Sequence, residues 1–158
     1  MFKEACCAGL PSKMECEENV RNHVLGRLHS AVVPPDDPGG RQLLNVSVTL
    51  DVTHILGIDL QSNTLEMLVS LKLIWTDTRL AWDPLVSGCY SVSYLASVDP
   101  EQTEIWVPNV DLLNQVVGAQ NLPSGAASVF HDGYVLWKRT GVITVACDLK
   151  GVADFPYD

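Results

Sequence analysis

The sequence lacks any apolar run long enough to cross a membrane. A spanning helix needs about 20 apolar residues, whereas the longest apolar stretches here are interrupted by Asp, Asn, Lys or Gly. The N-terminal residues, Met-Phe-Lys-Glu-Ala-Cys-Cys, also lack the apolar core of a signal peptide, because Glu4 interrupts them early. As written, the chain is expected neither to enter the secretory pathway nor to cross a membrane.

Positive charge is scarce as well. The chain has 10 Lys and Arg residues against 19 Asp and Glu residues, a formal net charge of −9. Without a Lys/Arg cluster to neutralise phosphates, a nucleic-acid partner is excluded. The hydrophobic content of 47% and the charged content of 18% indicate a folded globule, and 158 residues suffice for one domain with a real core.

Residue patterns typical of enzymes and metal sites are absent. The four histidines are scattered and lie in no nucleophile elbow or metal-binding helix motif, and there is no Gly-rich phosphate loop. A zinc set of Cys7, Cys16, His23 and His29 matches no known finger spacing. We therefore expect no enzymatic activity, no cofactor and no metal. His54 is predicted to be a core or rim histidine on the apolar face of the first strand.

Five cysteines are an odd set at scattered spacings, which does not indicate a disulfide framework. They are Cys6, Cys7, Cys16, Cys89 and Cys147. Cys147 has no nearby mate, which suggests a thiol whose partner is missing. The alternative is a buried free cysteine on a strand, since a free Cys packs as a small hydrophobe.

An N-terminal helix is predicted from about Lys13 to His29. Ser12 and Glu15 fit a capping box, and apolar residues then recur at helical spacing through Leu28. A Pro- and Gly-rich linker over residues 34–40 follows the helix. Residues 1–12 are expected to be disordered.

Beyond Gly40 the hydrophobic period changes to two. Residues 46–53 and 65–76 alternate between apolar and polar and are separated by a turn over 59–64, so they are expected to pair as an antiparallel hairpin. Residues 83–103 are less regular, and 134–149 is strand-like again, with a bend at Gly141. One helix followed by many strands predicts an all-β sandwich with a helical cap.

Tryptophans recur in ordered motifs along the second half. Each is expected to be a core anchor, because Trp buries a large area. The motifs are Trp75-x-Asp77-x-Arg79-Leu80-x-Trp82, Ile105-Trp106-x-Pro108-Asn109 and Gly133-x-x-x-Trp137, followed by Cys147 and by Phe155-Pro156-Tyr157-Asp158. Asn45 opens an N-x-Ser glycosylation sequon, a weak signal because such tripeptides arise by chance.

In this order and spacing the motifs resemble the Cys-loop receptors, the pentameric ligand-gated ion channels that include the nicotinic acetylcholine receptor. The resemblance implies that residues 13–158 form the family's extracellular ligand-binding domain, an immunoglobulin-like β-sandwich with an N-terminal helix. It also implies assembly with homologous subunits into a homo- or hetero-pentamer, with a small transmitter-like ligand bound between neighbours. The full-length parent would then gate ion transport at the plasma membrane, with this domain on the extracellular side.

The resemblance assigns Cys147, Phe155, Pro156, Tyr157 and Asp158 to a disulfide-closed loop that couples ligand binding to the membrane domain. The second cysteine of this loop would follow Asp158, so the resemblance implies a C-terminally truncated domain. The later sandwich strands and the membrane helices would be missing. A lone first half would leave strand edges unpaired and apolar faces exposed, and is expected to be aggregation-prone or molten.

The resemblance places Leu113, Ser70, Leu136 and Lys138 at positions that would line a subunit cleft. Leu113 stands where the nicotinic pattern has Tyr, and Ser70 where it has Trp, so an aromatic box would lack two walls. Lys138 would repel a cation if it faced the cleft. An anionic or zwitterionic ligand, or no ligand at this face, is therefore expected rather than acetylcholine.

Two other interpretations stay open. The chain could be a soluble binding module like the acetylcholine-binding proteins, which share the sandwich without a pore. It could also be an unrelated adhesion or structural β-sandwich, because a fold alone does not fix a function.

Overall fold

The structure is a computed structural model that describes residues 12–28, 31–35, 44–116 and 122–148. The described chain is mostly β, with an N-terminal helix, as the sequence predicts. Its elements are α1 (Lys13–Leu25), β1 (Ser47–Asp59), β2 (Thr64–Thr76), a 3-10 turn (Thr78–Leu80), α2 (Pro84–Ser87), β3 (Ser91–Ala96), β4 (Gly125–Phe130) and β5 (Tyr134–Ala146). The strands form one antiparallel sheet in the order β1-β2-β5-β4-β3. Within these ranges there is one sheet, not the two that a sandwich requires.

Helix α1 begins with the predicted capping box. The Ser12 hydroxyl accepts a hydrogen bond from the Glu15 N–H, and the Glu15 carboxylate accepts one from the Ser12 N–H at 2.8 Å. The hydrogen bonds from Ser12 lower the pKa of Glu15. The helix ends at Leu25, earlier than predicted, with Gly26 as its C-cap. Glycine is among the poorest helix residues, so the apolar repeat through Leu28 does not prolong the helix.

Three contacts from Arg21 hold α1 against β3 and the segment that follows it. Its guanidinium donates to the Ser93 carbonyl at 2.5 Å, pairs with the Glu104 carboxylate, and stacks 5.2 Å from the centre of the Tyr94 ring. Burial raises the pKa of Tyr94 to about 12. Cys16, Val20 and Val24 form the buried stripe of the helix.

Strands β1 and β2 form the predicted antiparallel hairpin. The Asp59 carboxylate accepts from the Gln61 and Ser62 N–H groups and so closes the turn. Asn63 adopts a φ of 54°, a left-handed conformation that asparagine tolerates better than most residues.

The prediction that His54 lies on the apolar face of β1 is wrong. The pairing register shifts between Val52 and His54 and again between Ile55 and Gly57. Val52 is opposite Val69, whereas His54 is opposite Leu68, on the other face of β2. The bulge inserts one extra residue and reverses the alternation that the sequence suggests.

The core covers one face of β2, β3, β4 and β5. Alternate residues of these strands point inward and are buried: Val69, Leu71, Leu73, Trp75, Val92, Tyr94, Ala96, Ala127, Val129, Val135, Trp137 and Ile143. Gly141 pairs with Val69 in an unbroken β2–β5 ladder. A Cβ at Gly141 would lie 3.0 Å from Pro123 Cδ and 3.1 Å from Leu122 Cδ2. Because Gly141 has no Cβ, Leu122 and Pro123, which precede β4, can pack directly against β5.

Arg139 is a buried cation on the core side of β5. Its guanidinium donates to the Pro123 carbonyl at 3.2 Å and to the Leu122 carbonyl, and it lies over the Trp137 ring. Burial lowers the pKa of this side chain. The contacts tie the segment before β4 to β5.

The apolar side chains on the core side of β1 are uncovered. Val48, Leu50, Val52, Ile55 and Ile58 are 42% to 63% exposed, and we call this set the β1 apolar face. The outer edge of β1 pairs with no strand in the described ranges. The exposed apolar face and open edge predicted from the sequence are thus present.

Candidate functional site

The motif around Trp75 and Asp77 forms a rigid corner at the end of β2. The Asp77 carboxylate is fully buried and accepts from the Arg79 N–H at 3.0 Å, from Arg79 Nε at 2.9 Å and from Arg79 Nη2 at 2.8 Å. Arg79 Nη1 donates in turn to the Val33 carbonyl at 3.0 Å. A buried carboxylate held by a guanidinium fork fixes the direction in which the chain leaves β2.

The same corner holds the β4–β5 turn. The Asp77 N–H donates to the Gly133 carbonyl at 2.8 Å, and the Trp82 N–H donates to the His131 carbonyl at 2.9 Å. Gly133 has a φ of +85°, and a Cβ there would lie 2.5 Å from the Asp77 carbonyl oxygen. The first and third Trp motifs therefore meet through backbone contacts.

The tryptophans differ in how deeply they pack. Trp75 and Trp137 are buried, and Trp75 meets the half-buried Trp106 edge-on at 6.0 Å between ring centres. Trp82 is half-buried, and its indole N–H donates to the Cys89 carbonyl at 2.8 Å. Pro108, which follows Trp106, is buried.

Three of the four predicted cleft residues share one face of the β2–β5 ladder. Ser70 pairs with Thr140, and Leu136 pairs with Ile74. Lys138 lies between them on β5, and all three residues alternate with core residues, so they occupy the face directed away from the core. The Ser70 hydroxyl is nearly buried and accepts from Thr140 Oγ1 at 3.4 Å.

Leu113 does not join that group. Its side chain is fully exposed in a segment that bridges to β5 through Gln115 and Val145. Val145 is seven residues beyond Lys138 on β5, or about 23 Å at roughly 3.3 Å per residue. Within one copy of the chain, Leu113 therefore lies near the C-terminal end of β5, well away from Lys138 in the first half of the strand.

The sequence reasoning missed Lys72, which pairs directly with Lys138. Lys72 comes two residues after Ser70 on a strand, so the period of two alone would have placed it on the same face. In the part of the chain that the structure describes, neither lysine forms an ion pair. On the neighbouring β1 row the acidic residues are Asp51, opposite Ser70, and Asp59, opposite Thr64. Like charges directly opposite each other on a ladder repel. Lys72 and Lys138 together therefore make this part of the face more positive.

The sequence led us to expect no disulfide framework, and it did not reveal the disulfide that the described residues contain. Cys16 on α1 and Cys89 after α2 are disulfide-bonded, with a Cα–Cα distance of 5.9 Å that is ordinary for such a bond. The sequence separation of 73 residues hid the pairing. The bond also removes Cys16 from the zinc set considered above, and among the described residues no group of three or more candidate ligands could hold a metal ion.

The residues assigned to the coupling loop are described only at its first member. Cys147 carries a free, half-buried thiol, and its N–H donates to the Asn63 carbonyl at 2.9 Å. This contact joins the end of β5 to the tip of the β1–β2 hairpin. Phe155, Pro156, Tyr157 and Asp158 lie outside the described residues. Asn45, the candidate glycosylation residue, is exposed immediately before β1.

Residues 17–158 match the profile of the neurotransmitter-gated ion-channel ligand binding domain. The chain belongs to this family. The family is non-enzymatic, and its members are membrane receptors that assemble as pentamers and bind neurotransmitters through an extracellular domain. The motif resemblance drawn from the sequence is thereby confirmed at the level of the family.

Individual relatives agree with the family match. The chain is 26% identical over 146 residues to the acetylcholine receptor subunit beta of Xenopus laevis, covering 92% of this chain and 28% of that protein. It is 30% identical over 121 residues to the human neuronal acetylcholine receptor subunit alpha-10, covering 74% and 25%. It is 28% identical over 138 residues to the proton-gated ion channel subunit pbo-6 of Caenorhabditis elegans, covering 86% and 30%. The chain thus spans between a quarter and a third of the length of these relatives.

None of its described helices is both long and apolar enough to span a bilayer.

Proposed function

We propose that this chain is part of the extracellular ligand-binding domain of a neurotransmitter-gated ion channel subunit, where it contributes to transmitter binding and to gating of ion transport. The family match over residues 17–158 carries the proposal. Its partners are homologous subunits in a homo- or hetero-pentamer at the plasma membrane. The contact between Cys147 and the tip of the β1–β2 hairpin supports a coupling role for that end of the domain.

The β1 apolar face supports completion of the fold as an immunoglobulin-like β-sandwich. Five half-exposed aliphatic side chains beside an open strand edge are a surface that a second sheet would cover. The unpaired backbone groups at the edge of β1 would be satisfied separately, by a strand that pairs along that edge.

The Cys16–Cys89 disulfide supports an extracellular location. Structural disulfides form and persist in oxidising compartments and are rare in the cytosol. This location differs from the expectation, drawn from the N-terminal residues, that the chain does not enter the secretory pathway.

The outer face of the β2–β5 ladder favours a ligand that carries a carboxylate. Ser70 and Leu113 would remove two rings from an aromatic box, at a cost of about 1–4 kcal/mol of cation affinity. Lys72 and Lys138 place two ammonium groups side by side on that face, and these groups attract an anion and repel a cation. We therefore propose an anionic or zwitterionic transmitter rather than acetylcholine.

Expression in oocytes of the gene that encodes this chain tests both the channel function and the proposed ligand class. A current evoked by glutamate or glycine, with acetylcholine inactive, is the expected result. Lys138→Gln should raise the half-maximal agonist concentration by about fivefold or more, while Lys13→Gln, a charge loss on exposed α1, should leave it unchanged.

A current evoked by acetylcholine and unaffected by Lys138→Gln would overturn the ligand class. Binding of the same ligands by a secreted pentamer, without current, would instead favour the soluble binding module. The absence of both binding and current would contradict the proposed function itself.

A further inference from the structure

We propose that the groove between α1 and residues 82–87 is a second ligand site, for a small organic cation with an apolar body. The groove encloses about 420 Å³, within the range of small-molecule sites. Val20 and His23 of α1 line one side, and Trp82, Asp83 and Val86 line the other. It lies apart from the β2–β5 face, because none of its lining residues belongs to a strand.

Both walls of the groove are fixed in place. The Cys16–Cys89 disulfide joins α1 to the residue that follows α2. The Trp82 indole N–H donates to the Cys89 carbonyl at 2.8 Å, and Asp83 Oδ1 accepts from the Leu85 N–H at 2.9 Å. A preformed site spares the ligand the cost of ordering its walls.

The side chains favour a cation over an anion. The Trp82 indole N–H is already satisfied by the Cys89 carbonyl, so a ligand in the groove meets the apolar and π surface of this half-buried ring. The exposed Asp83 carboxylate lines the same groove. An aromatic face beside a carboxylate is the pairing that binds an ammonium group, and Val20 and Val86 supply contacts for the apolar body.

The arginines on α1 and just after it are bound to other groups. Arg21 is held by the Ser93 carbonyl and the Glu104 carboxylate. Arg27 donates to the Ala81 carbonyl at 2.9 Å, next to Trp82, but does not line the groove. Among the described residues, no Lys or Arg lines the groove, whereas the Asp83 carboxylate does.

Titration of the full chain with 2-phenylethylammonium, followed by NMR of indole-labelled tryptophans, tests the proposal. The Trp82 resonance should shift, and the neutral analogue 2-phenylethanol should bind at least about fivefold more weakly. Asp83→Asn should remove that preference while leaving the helix cap intact, since Asn caps as well as Asp. Asp99→Asn is the matched control, because Asp99 Oδ1 also accepts a backbone N–H two residues on, from Glu101.

A photoreactive arylammonium applied to membranes that contain the full-length protein gives a second measurement, which does not require the chain to fold alone. Labelling within residues 19–23 or 82–87, reduced by excess 2-phenylethylammonium, would support the site. Labelling elsewhere only, or equal weakening by Asp83→Asn and Asp99→Asn, would overturn it. Neither readout depends on current, so failure here is distinguishable from failure of the channel function.

Discussion

Gly133 shows at a single residue how the Trp motif corner limits substitution. Its φ of +85° and the 2.5 Å approach of the Asp77 carbonyl oxygen leave no room for a Cβ. Gly133→Ala is expected to lower the free energy of unfolding by about 2 kcal/mol or more, because both backbone strain and a steric clash arise. Gly125→Ala is the matched control, since a Cβ at Gly125 would have no atom within 4 Å. Equal effects of the two variants in denaturant titrations of the assembled domain would contradict the assignment.

The sequence predicted the contacts of some residues correctly and the positions of others wrongly. The capping box of Ser12 and Glu15 is fixed by a spacing of three residues, so the sequence predicted it correctly. Lys138 was singled out by the resemblance, as a neighbour of Trp137, and its place opposite Lys72 on the outer face came from the structure. His54 was misplaced because a bulge leaves no mark in the hydrophobic pattern, and the bulge decides which face each later residue of β1 occupies.

At the scale of elements, the Cys16–Cys89 disulfide should hold α1 to the sheet. Replacing both cysteines with serine is expected to cost about 2–4 kcal/mol of stability and to speed amide exchange in α1. Cys147→Ser in this 158-residue chain by itself is the control, because that thiol is free there. Non-reducing peptide mapping of the secreted protein should find residues 16 and 89 in one linked pair. Free thiols at both positions would contradict the pairing.

Elements were predicted best where the alternation of apolar and polar residues continues over many positions. The β1–β2 hairpin was predicted from its two alternating runs, whereas β3 was not, because six residues between turns give a weak signal. The adjacency of β2 and β5 joins residues up to 82 positions apart, Thr64 with Ala146. No local pattern encodes such a pairing, so the sheet order had to come from the structure.

For the whole molecule, the β1 apolar face sets how the chain behaves alone. The purified chain is expected to bind hydrophobic dyes and to self-associate, because this face and the open β1 edge are uncovered. Val52→Lys should reduce both dye binding and aggregation. His54→Lys is the control, since it adds the same charge on the opposite face of the same strand. A sharp, cooperative melt of a monomer in circular dichroism and gel filtration would contradict this expectation.

The Cys16–Cys89 bond also changes the covalent topology of the molecule. It closes a ring that contains most of α1, the entire β1–β2 hairpin and α2. A protease that cuts any one peptide bond inside this ring leaves two chain segments that still travel as one molecule until a reductant is added. The β1–β2 hairpin therefore cannot be released from the rest of the domain by a single cleavage.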